Sequence, residues 1–332
     1  MGALVPTSDI EHFSLVAKNI LSGRVVPFLG AGANLCDRLP GTPRNPNLHL
    51  PSSAELAEEL ANGGTARDPD RCPYAECPRP GGGADLARVS QNVVAFLDEG
   101  PLYEKLHTVF AVAAPPTSVH ELIAQLPFPT RIDCRAENRH PLIVTTNYDD
   151  LMETALRKSG REFDCVFFDP DHRPGGGFYH RTSTGSVRPI EDPNGDASPF
   201  CEHRPTLLKI HGTIDRQKRE FEGFVITEDQ YIEYLAAQPL EKLLPSTLLA
   251  KLRNNHMLFL GYSLRDWNCR VFLRRLKRDP KHRYRSWAVM RSADEAERHL
   301  WSMHGVTIIE MELSEYILQL KQQIMSLSGE HA

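Results

Sequence analysis

Three side chains in this sequence have types and positions suited to chemistry. Asn147 and Asp149 occur in PLIVTTNYDDLMETAL (Pro141–Leu156), and His211 occurs in LLKIHGTID (Leu207–Asp215). Each follows directly on a short apolar run, so each stands where a buried strand gives way to a polar join. In open α/β sheets that edge is where ligands sit. An imidazole with an unperturbed pKa of about 6.5 can act as a general base. The sequence offers neither a nucleophilic Ser or Cys elbow nor a set of metal ligands beside them. The combination suits a reaction in which the ligand itself carries a good leaving group. Plainer readings stand next to this one. Either Asn147 or Asp149 serves as the cap of a helix starting near Asp150, and a lone histidine is commonly a structural residue.

Two further joins share the pattern. FLGAGAN (Phe28–Asn34) places Gly30 and Gly32 after an apolar run, where the missing Cβ atoms allow phosphate to approach. A helix N-terminus just after them would aim free N–H groups at an anion. The G-x-G fingerprint is incomplete, and a turn needing positive φ also uses glycine. FLGYSLRDWN (Phe259–Asn268) supplies Gly261 for close approach and Ser263 for a ribose or phosphate bond. Asp266 either accepts ribose hydroxyl bonds or caps the next helix. Four strand ends thus bring small or polar groups to one edge, a crevice of the kind a dinucleotide fits.

The elements that position these groups follow from the apolar runs. Strands are predicted at Val25–Leu29, Leu142–Thr146, Leu207–Ile210, Met257–Leu260, Ser286–Met290 and Val306–Ile309. Their near-continuous apolar character indicates parallel strands covered on both faces, and alternation with helices indicates a doubly wound α/β sheet. Helical spacing is visible in Phe13, Val16, Ala17 and Ile20, and in Leu56, Ala57 and Leu60 after a Ser52 or Ser53 cap. Ser118–Leu126 is the clearest helical part of 101–139. Leu313, Ile317, Leu320, Ile324 and Leu327 form a stripe expected to pack on the sheet. Two stretches, 63–83 and 169–205, are rich in Gly and Pro and read as long loops or a small appended lobe.

Composition is that of an ordinary globular protein: 332 residues, 41% hydrophobic, 24% charged, formal net charge −5. The mild acidity gives no overall pull toward nucleic acid or an acidic membrane. No apolar run approaches the roughly 20 residues that span a bilayer. The first residues fit neither a signal peptide nor a myristoylation signal, so a cytoplasmic protein is expected. The seven scattered cysteines suit reduced thiols, and the Cys72–Cys77 pair lacks the second pair that a structural zinc would need.

Taken in order, GAGAN, TTNYD, KIHG and GYSLRD resemble the sirtuin-like NAD-binding family, and most closely its prokaryotic, defence-associated NAD-hydrolysing branch. The likeness runs from about Phe13 to Ile309. It implies a Rossmann-like parallel α/β domain over 1–332, with a helical and loop lobe inserted at 61–140 and an irregular insertion at 165–205. It implies that Gly30, Ala31 and Gly32 hold the diphosphate, with Asn34 where many members have Ser. Asn147 and His211 match the catalytic pair, Asp149 the acidic residue after the Asn, and Thr146 and Gly212 flank them. Gly261 and Ser263 match the segment that holds the adenosine ribose, and Asp266 fits the defence-type form of it. The paired Cys-x-x-Cys zinc module of the protein deacylases is absent, and one wall of an acyl-lysine channel goes with it.

The function expected from the resemblance is hydrolysis of NAD+ to ADP-ribose and nicotinamide, with NAD as substrate and no metal. The alternatives are NAD-dependent deacylation and non-catalytic sensing of NAD or ADP-ribose. An ungated NAD hydrolase would harm its host. The resemblance therefore implies gating by homo-oligomerisation or by a separate sensor, such as a HerA-type ATPase or an Argonaute-like protein. The basic run Arg270–Arg285 is either a solvated helix face or a surface for nucleic acid or an acidic partner. No membrane association is expected.

Overall fold

Strand residues alternate between two cores. The computed structural model describes residues 7–39, 41–63, 85–126, 140–172, 175–195, 200–216, 219–236, 239–262, 272–273, 276 and 285–329. On β1 (Val25–Leu29), Val26 and Phe28 point to one face of the sheet, and Val25 and Leu29 to the other. The same period of two holds along the neighbouring strands. Both faces are apolar, so the sheet must be covered twice. One cover comes from α1 (Thr7–Leu21), a helix at Ser118–Ala124 and the last described helix, Leu313–Gly329. Tyr316, Ile317, Leu320 and Ile324 of that last helix are buried there, as their spacing predicts. The other cover includes Leu248, Leu249 and Leu252 of Ser246–Arg253 and Trp301 of Glu295–Met303.

The fold is a doubly wound α/β sheet, with nine strands among the described residues. Besides β1 the sheet contains β2 (Leu142–Thr145), β3 (Asp164–Asp169), β4 (Gly177–Arg181), β5 (Val187–Pro189) and β6 (Thr206–Lys209). A separate two-stranded ribbon pairs β7 (Gly212–Thr213) with β8 (Gly223–Phe224). The large sheet is completed by β9 (His256–Leu260), β10 (Ser286–Met290) and β11 (Val306–Glu310). The order is β11-β10-β9-β1-β2-β6-β3-β4-β5, parallel from β11 to β3, with β4 and β5 antiparallel at the edge. The six strands read from the sequence are six of these, to within a residue at each end.

The stretch 165–205, expected to be irregular, supplies sheet strands instead. DCVFFD pairs in parallel with β6 and then folds back through β4 and β5. Gly175 and Gly176 take positive φ in the turn between β3 and β4, and Gly185 does so between β4 and β5. Those glycines punctuate a meander rather than break up a loop.

A third core lies at one end of the sheet. It joins α2 (Ser53–Gly63), α3 (Leu86–Leu97) and α4 (Glu99–Phe110) to Tyr148, Leu151, Phe224 and Ile226. Ser52 begins α2 with a reciprocal pair, its Oγ accepting from the Glu55 amide and its own amide donating to Glu55 Oε2. The Ser118–Ala124 helix, which we label α5, falls within 61–140 but packs on the sheet rather than in this lobe. Residues 64–84, with Cys72 and Cys77, and 127–139 lie outside the described residues.

Candidate functional site

Adjacent strands set Asn147 and His211 side by side in the backbone. Thr145 pairs with Lys209 in the β2–β6 ladder, so each of the two residues lies two positions beyond that pair. On the β2 side the side chains form a chain of hydrogen bonds. Asp149 Oδ2 accepts from Asn34 Nδ2 at 2.8 Å, and Asn34 Oδ1 accepts from Asn147 Nδ2 at 3.3 Å. Asn147 Nδ2 also donates to the Gly30 carbonyl at 3.2 Å. A carboxylate can only accept, so it fixes which way the Asn34 amide faces, and Asn34 in turn fixes Asn147. Nδ2 of Asn147 is thereby committed to protein acceptors, and Oδ1 is the amide atom these bonds do not use. Asn34 and Asn147 are each 9% exposed.

Asp149 is more committed than its sequence position suggests. Its Oδ1 accepts from the Leu151 amide at 3.0 Å, so it braces the start of α6 (Leu151–Lys158) from the residue before the N-cap, Asp150, while holding Asn34. Burial pushes its carboxyl above the ordinary carboxylate value, against the opposing pull of Lys209, Asn34 and the Leu151 amide. The expected side-chain cap is thus an i to i+2 bond rather than an N-cap, and Asn147 makes the separate contacts described above.

His211 follows Ile210 into the loop toward β7 and is 4% exposed. Its ring meets Tyr231 and Tyr234 edge-on, with centroids 5.5 and 5.7 Å apart. Gly212 has φ +102°, and a Cβ there would lie 2.0 Å from the Gly223 carbonyl oxygen. The His-Gly pair thus turns the chain and lets the short β7–β8 ribbon close against it.

The glycines of the other two strand ends serve a purpose that the sequence did not disclose. The space their missing Cβ atoms would fill is taken by neighbouring backbone and, at Gly30, also by the Tyr262 ring. A Cβ on Gly30 would meet the Gly261 oxygen at 2.7 Å and Tyr262 at 2.7 Å, and one on Gly32 would meet the Gly261 oxygen at 2.7 Å. Gly261 itself has φ +65° and would place a Cβ 2.0 Å from the Ala33 amide nitrogen. Gly32 N donates to Gly261 O at 2.8 Å, and Gly30 N donates to Leu260 O at 3.1 Å. The expected helix N-terminus with open amides is instead a five-residue 3₁₀ turn, Ala31–Leu35, and its Ala33 amide donates to Gly30 O. Ala31, Gly32 and Thr146 keep partial exposure on this edge. Ser263 and Asp266 lie outside the described residues, as does most of Arg270–Arg285. In that last stretch Phe272 and Leu276 are buried in the sheet core.

One supporting pair was not singled out by sequence reasoning. Lys209 is 0% exposed at the end of β6, and its Nζ donates to the carbonyls of Tyr148 at 3.1 Å and Asp149 at 2.6 Å and to Glu153 Oε1 at 2.9 Å. The available signal was a lysine inside an otherwise apolar strand, where a charge persists only if paired. Among the described residues no cluster of three or more His, Cys, Asp or Glu could hold a metal ion, and no helix is long and apolar enough to cross a membrane.

Comparison with known proteins follows from this geometry. Residues 141–309, half of the chain, match the family model described as SIR2-like domain. The chain is 29% identical over 144 residues to "Defense-associated sirtuin 2" of Bacillus subtilis, a match covering 42% of the chain and 11% of that protein. It is 29% identical over 177 residues to "NAD(+) hydrolase ThsA" of Acinetobacter baumannii, covering 53% of the chain and 28% of that protein. The matches therefore span well under half the length of either relative. A solved chain described under "Structural Basis for the Mechanism and Regulation of Sir2 Enzymes" aligns with a TM-score of 0.45 at 13% identity, covering 96% of this chain and 99% of its own.

Proposed function

The chain belongs to the SIR2-like domain family, and from that premise we propose that it hydrolyses NAD+ to ADP-ribose and nicotinamide. The observation that carries the reading is the Asp149–Asn34–Asn147 chain, which orients one amide beside the strand end that bears His211. The names of the two relatives, a defence-associated sirtuin and an NAD(+) hydrolase, support NAD as substrate and a defence role.

In this reading the bond between ribose C1′ and the pyridinium nitrogen breaks. Its electron pair stays on nitrogen, so the cationic ring departs as neutral nicotinamide. Positive charge develops on the ribose, and water forms the new C1′–O bond. Asn147 Oδ1 accepts a hydrogen bond from that water or from a ribose hydroxyl, and His211 takes the proton. Asp149 acts through Asn34 as a positioning residue. The diphosphate lies along Ala31, Gly32 and Thr146, and the adenosine side toward Gly261, Ser263 and Asp266. The protein works as a toxic defence effector, gated by self-assembly or by a separate sensor subunit.

Nicotinamide release from NAD+ by the purified protein, with and without an acyl-lysine peptide, tests the proposal. Asn147→Ala and His211→Ala should each lower release about a hundredfold or more, the effect of losing an acid–base or positioning group, with melting temperatures near that of the parent. Equal release in parent and variants would overturn it. Release only in the presence of the peptide would make the protein a deacylase, and binding without cleavage would make it a sensor.

A further inference from the structure

A concavity lies between α6 and the β3–β4–β5 meander and reaches Asp150 at the start of α6 and Ile214–Arg216 beyond β7. Its volume is about 720 Å³, within the range of small-molecule sites, and neither Asn147 nor His211 lines it. Its lining is strongly charged: Arg157, Arg161 and Arg181 stand among the carboxylates Asp150, Glu162 and Asp215, with Arg216 paired to Asp150. Arg157 lies over the Phe163 ring at 5.5 Å, and Arg181 lies over Phe167 at 5.0 Å. A guanidinium stacked in this way keeps its in-plane N–H groups for a phosphate. Phe163 and Phe221 supply apolar surface between the charges.

The second observation is at the floor. Glu153 lines the groove and is 3% exposed. Its Oε1 takes the Lys209 ammonium, while its Oε2 is buried with no hydrogen-bond partner in the protein. A buried carboxylate oxygen left in this state is costly, and a ligand N–H or O–H would satisfy it. The groove therefore asks for a molecule that is anionic at one end, flat and apolar in the middle, and a hydrogen-bond donor at the other.

We propose that this groove is a binding site for a nucleoside monophosphate, with the phosphate on the Arg157–Arg161–Arg181 wall and a donor of the nucleoside on Glu153 Oε2. The site is lined by neither Asn147 nor His211 and does not depend on the hydrolase reading, because its test measures binding alone.

Equilibrium dialysis of the full chain with radiolabelled AMP, adenosine and inorganic phosphate decides the matter. AMP should bind saturably, and about tenfold or more tighter than adenosine or phosphate alone. Asn147→Ala should retain that binding. Arg157→Glu and Arg181→Glu should each weaken it about tenfold or more. Both are at the surface or partly so, and a thermal melt verifies that they fold; Arg157→Gln and Arg181→Gln replace any that do not. No saturable AMP binding would overturn the proposal. So would AMP binding indifferent to the arginine changes, which would place the nucleotide in the strand-end crevice. Phosphate binding as tight as AMP would also overturn it, since the wall would then be reading an anion only.

Discussion

The two halves of the strand-end edge are held in place by different physics. At β1 and β9 the loops touch mainly backbone to backbone, with Gly30, Gly32 and Gly261 interleaved and the Tyr262 ring packed on Gly30. At β2 and β6 the loops are tied by side chains: Asp149 to Asn34, Asn34 to Asn147, and Lys209 to Glu153 and two carbonyls. The first half is rigid because any added atom clashes. The second is rigid because removing any partner leaves a buried polar group unpaired. One half should therefore fail by gain of volume and the other by loss of charge or hydrogen bonding.

The largest effect is expected from Lys209→Ala. It leaves the Glu153 carboxylate buried without its cation and removes the donor from the Tyr148 and Asp149 carbonyls. Breaking a buried ion pair in this way costs about 3–5 kcal/mol. Chemical denaturation should report that loss, and Lys209→Met combined with Glu153→Leu should recover much of it. A Lys209→Ala protein as stable as the parent would break the comparison on its polar side.

Gly261→Ala sharpens the other side. The new Cβ would sit 2.0 Å from the Ala33 nitrogen, on a residue with φ +65°. Overpacking and a left-handed alanine together should cost on the order of 3 kcal/mol. The same change at Gly41, where φ is +75° and no atom lies within 4 Å, carries only the backbone part. Denaturation midpoints of the two variants separate steric from conformational cost, and equal losses would refute the interleaved-loop account.

Much of this architecture was legible in the sequence, for definite reasons. β1, β2 and β6 are buried along their length and β9 and β10 nearly so, which makes their apolar runs easy to see, and the edge strand β11, with only Val306 buried, still carries the apolar run VTII. β4 and β5 were missed because they lie at the antiparallel edge, where GFYHR and VRP mix polar with apolar residues and glycine turns dominate the composition. The site divides in the same way. Asn147, Asp149 and His211 stood out by type and place, and Asn34 entered only through the family resemblance. That Asp149 reaches Asn34 across 115 positions, and that Gly30 packs against Gly261 and Tyr262, are facts of tertiary contact. No local spacing encodes them.

A pH scan probes how the glycine half is anchored. Thr117 Oγ1 donates to the Ala33 carbonyl at 2.8 Å, which pins the 3₁₀ turn to the start of α5, and the Thr117 amide donates to His120 Nδ1 at 3.2 Å. Burial pulls His120 down to about 4 from its ordinary 6.5. The folded pKa is the lower one, so the unfolded chain binds the proton first as pH falls. Stability is full above about 6.5 and is lost progressively down to about 4. The loss should be on the order of 2–3 kcal/mol, and Asp149, whose pKa is raised, works in the opposite direction at the acid end. His120→Gln should flatten the curve in that window, and an unchanged slope would remove His120 as its cause.

The smallest effect, and the most specific, concerns Asn34. Asn34→Ser shortens the side chain, so one hydroxyl must replace an amide that donates to Asp149 and accepts from Asn147 at once. A serine hydroxyl can donate and accept, but it cannot span both distances from the same Cβ. Asn147 then keeps its bond to the Gly30 carbonyl and loses its second anchor, so its amide rotates more freely. The fold should lose no more than about 1 kcal/mol, the net worth of a typical hydrogen bond. Nicotinamide release should fall about tenfold through kcat with KM little changed, because orientation matters most in the transition state. Asp149→Asn should produce the same kcat pattern with a greater stability loss, since a single amide oxygen cannot serve both Asn34 and the Leu151 amide. If Asn34→Ser instead raised KM and left kcat intact, Asn34 would be touching the substrate rather than aiming Asn147. The polar half of the edge would then be a binding surface and not a scaffold.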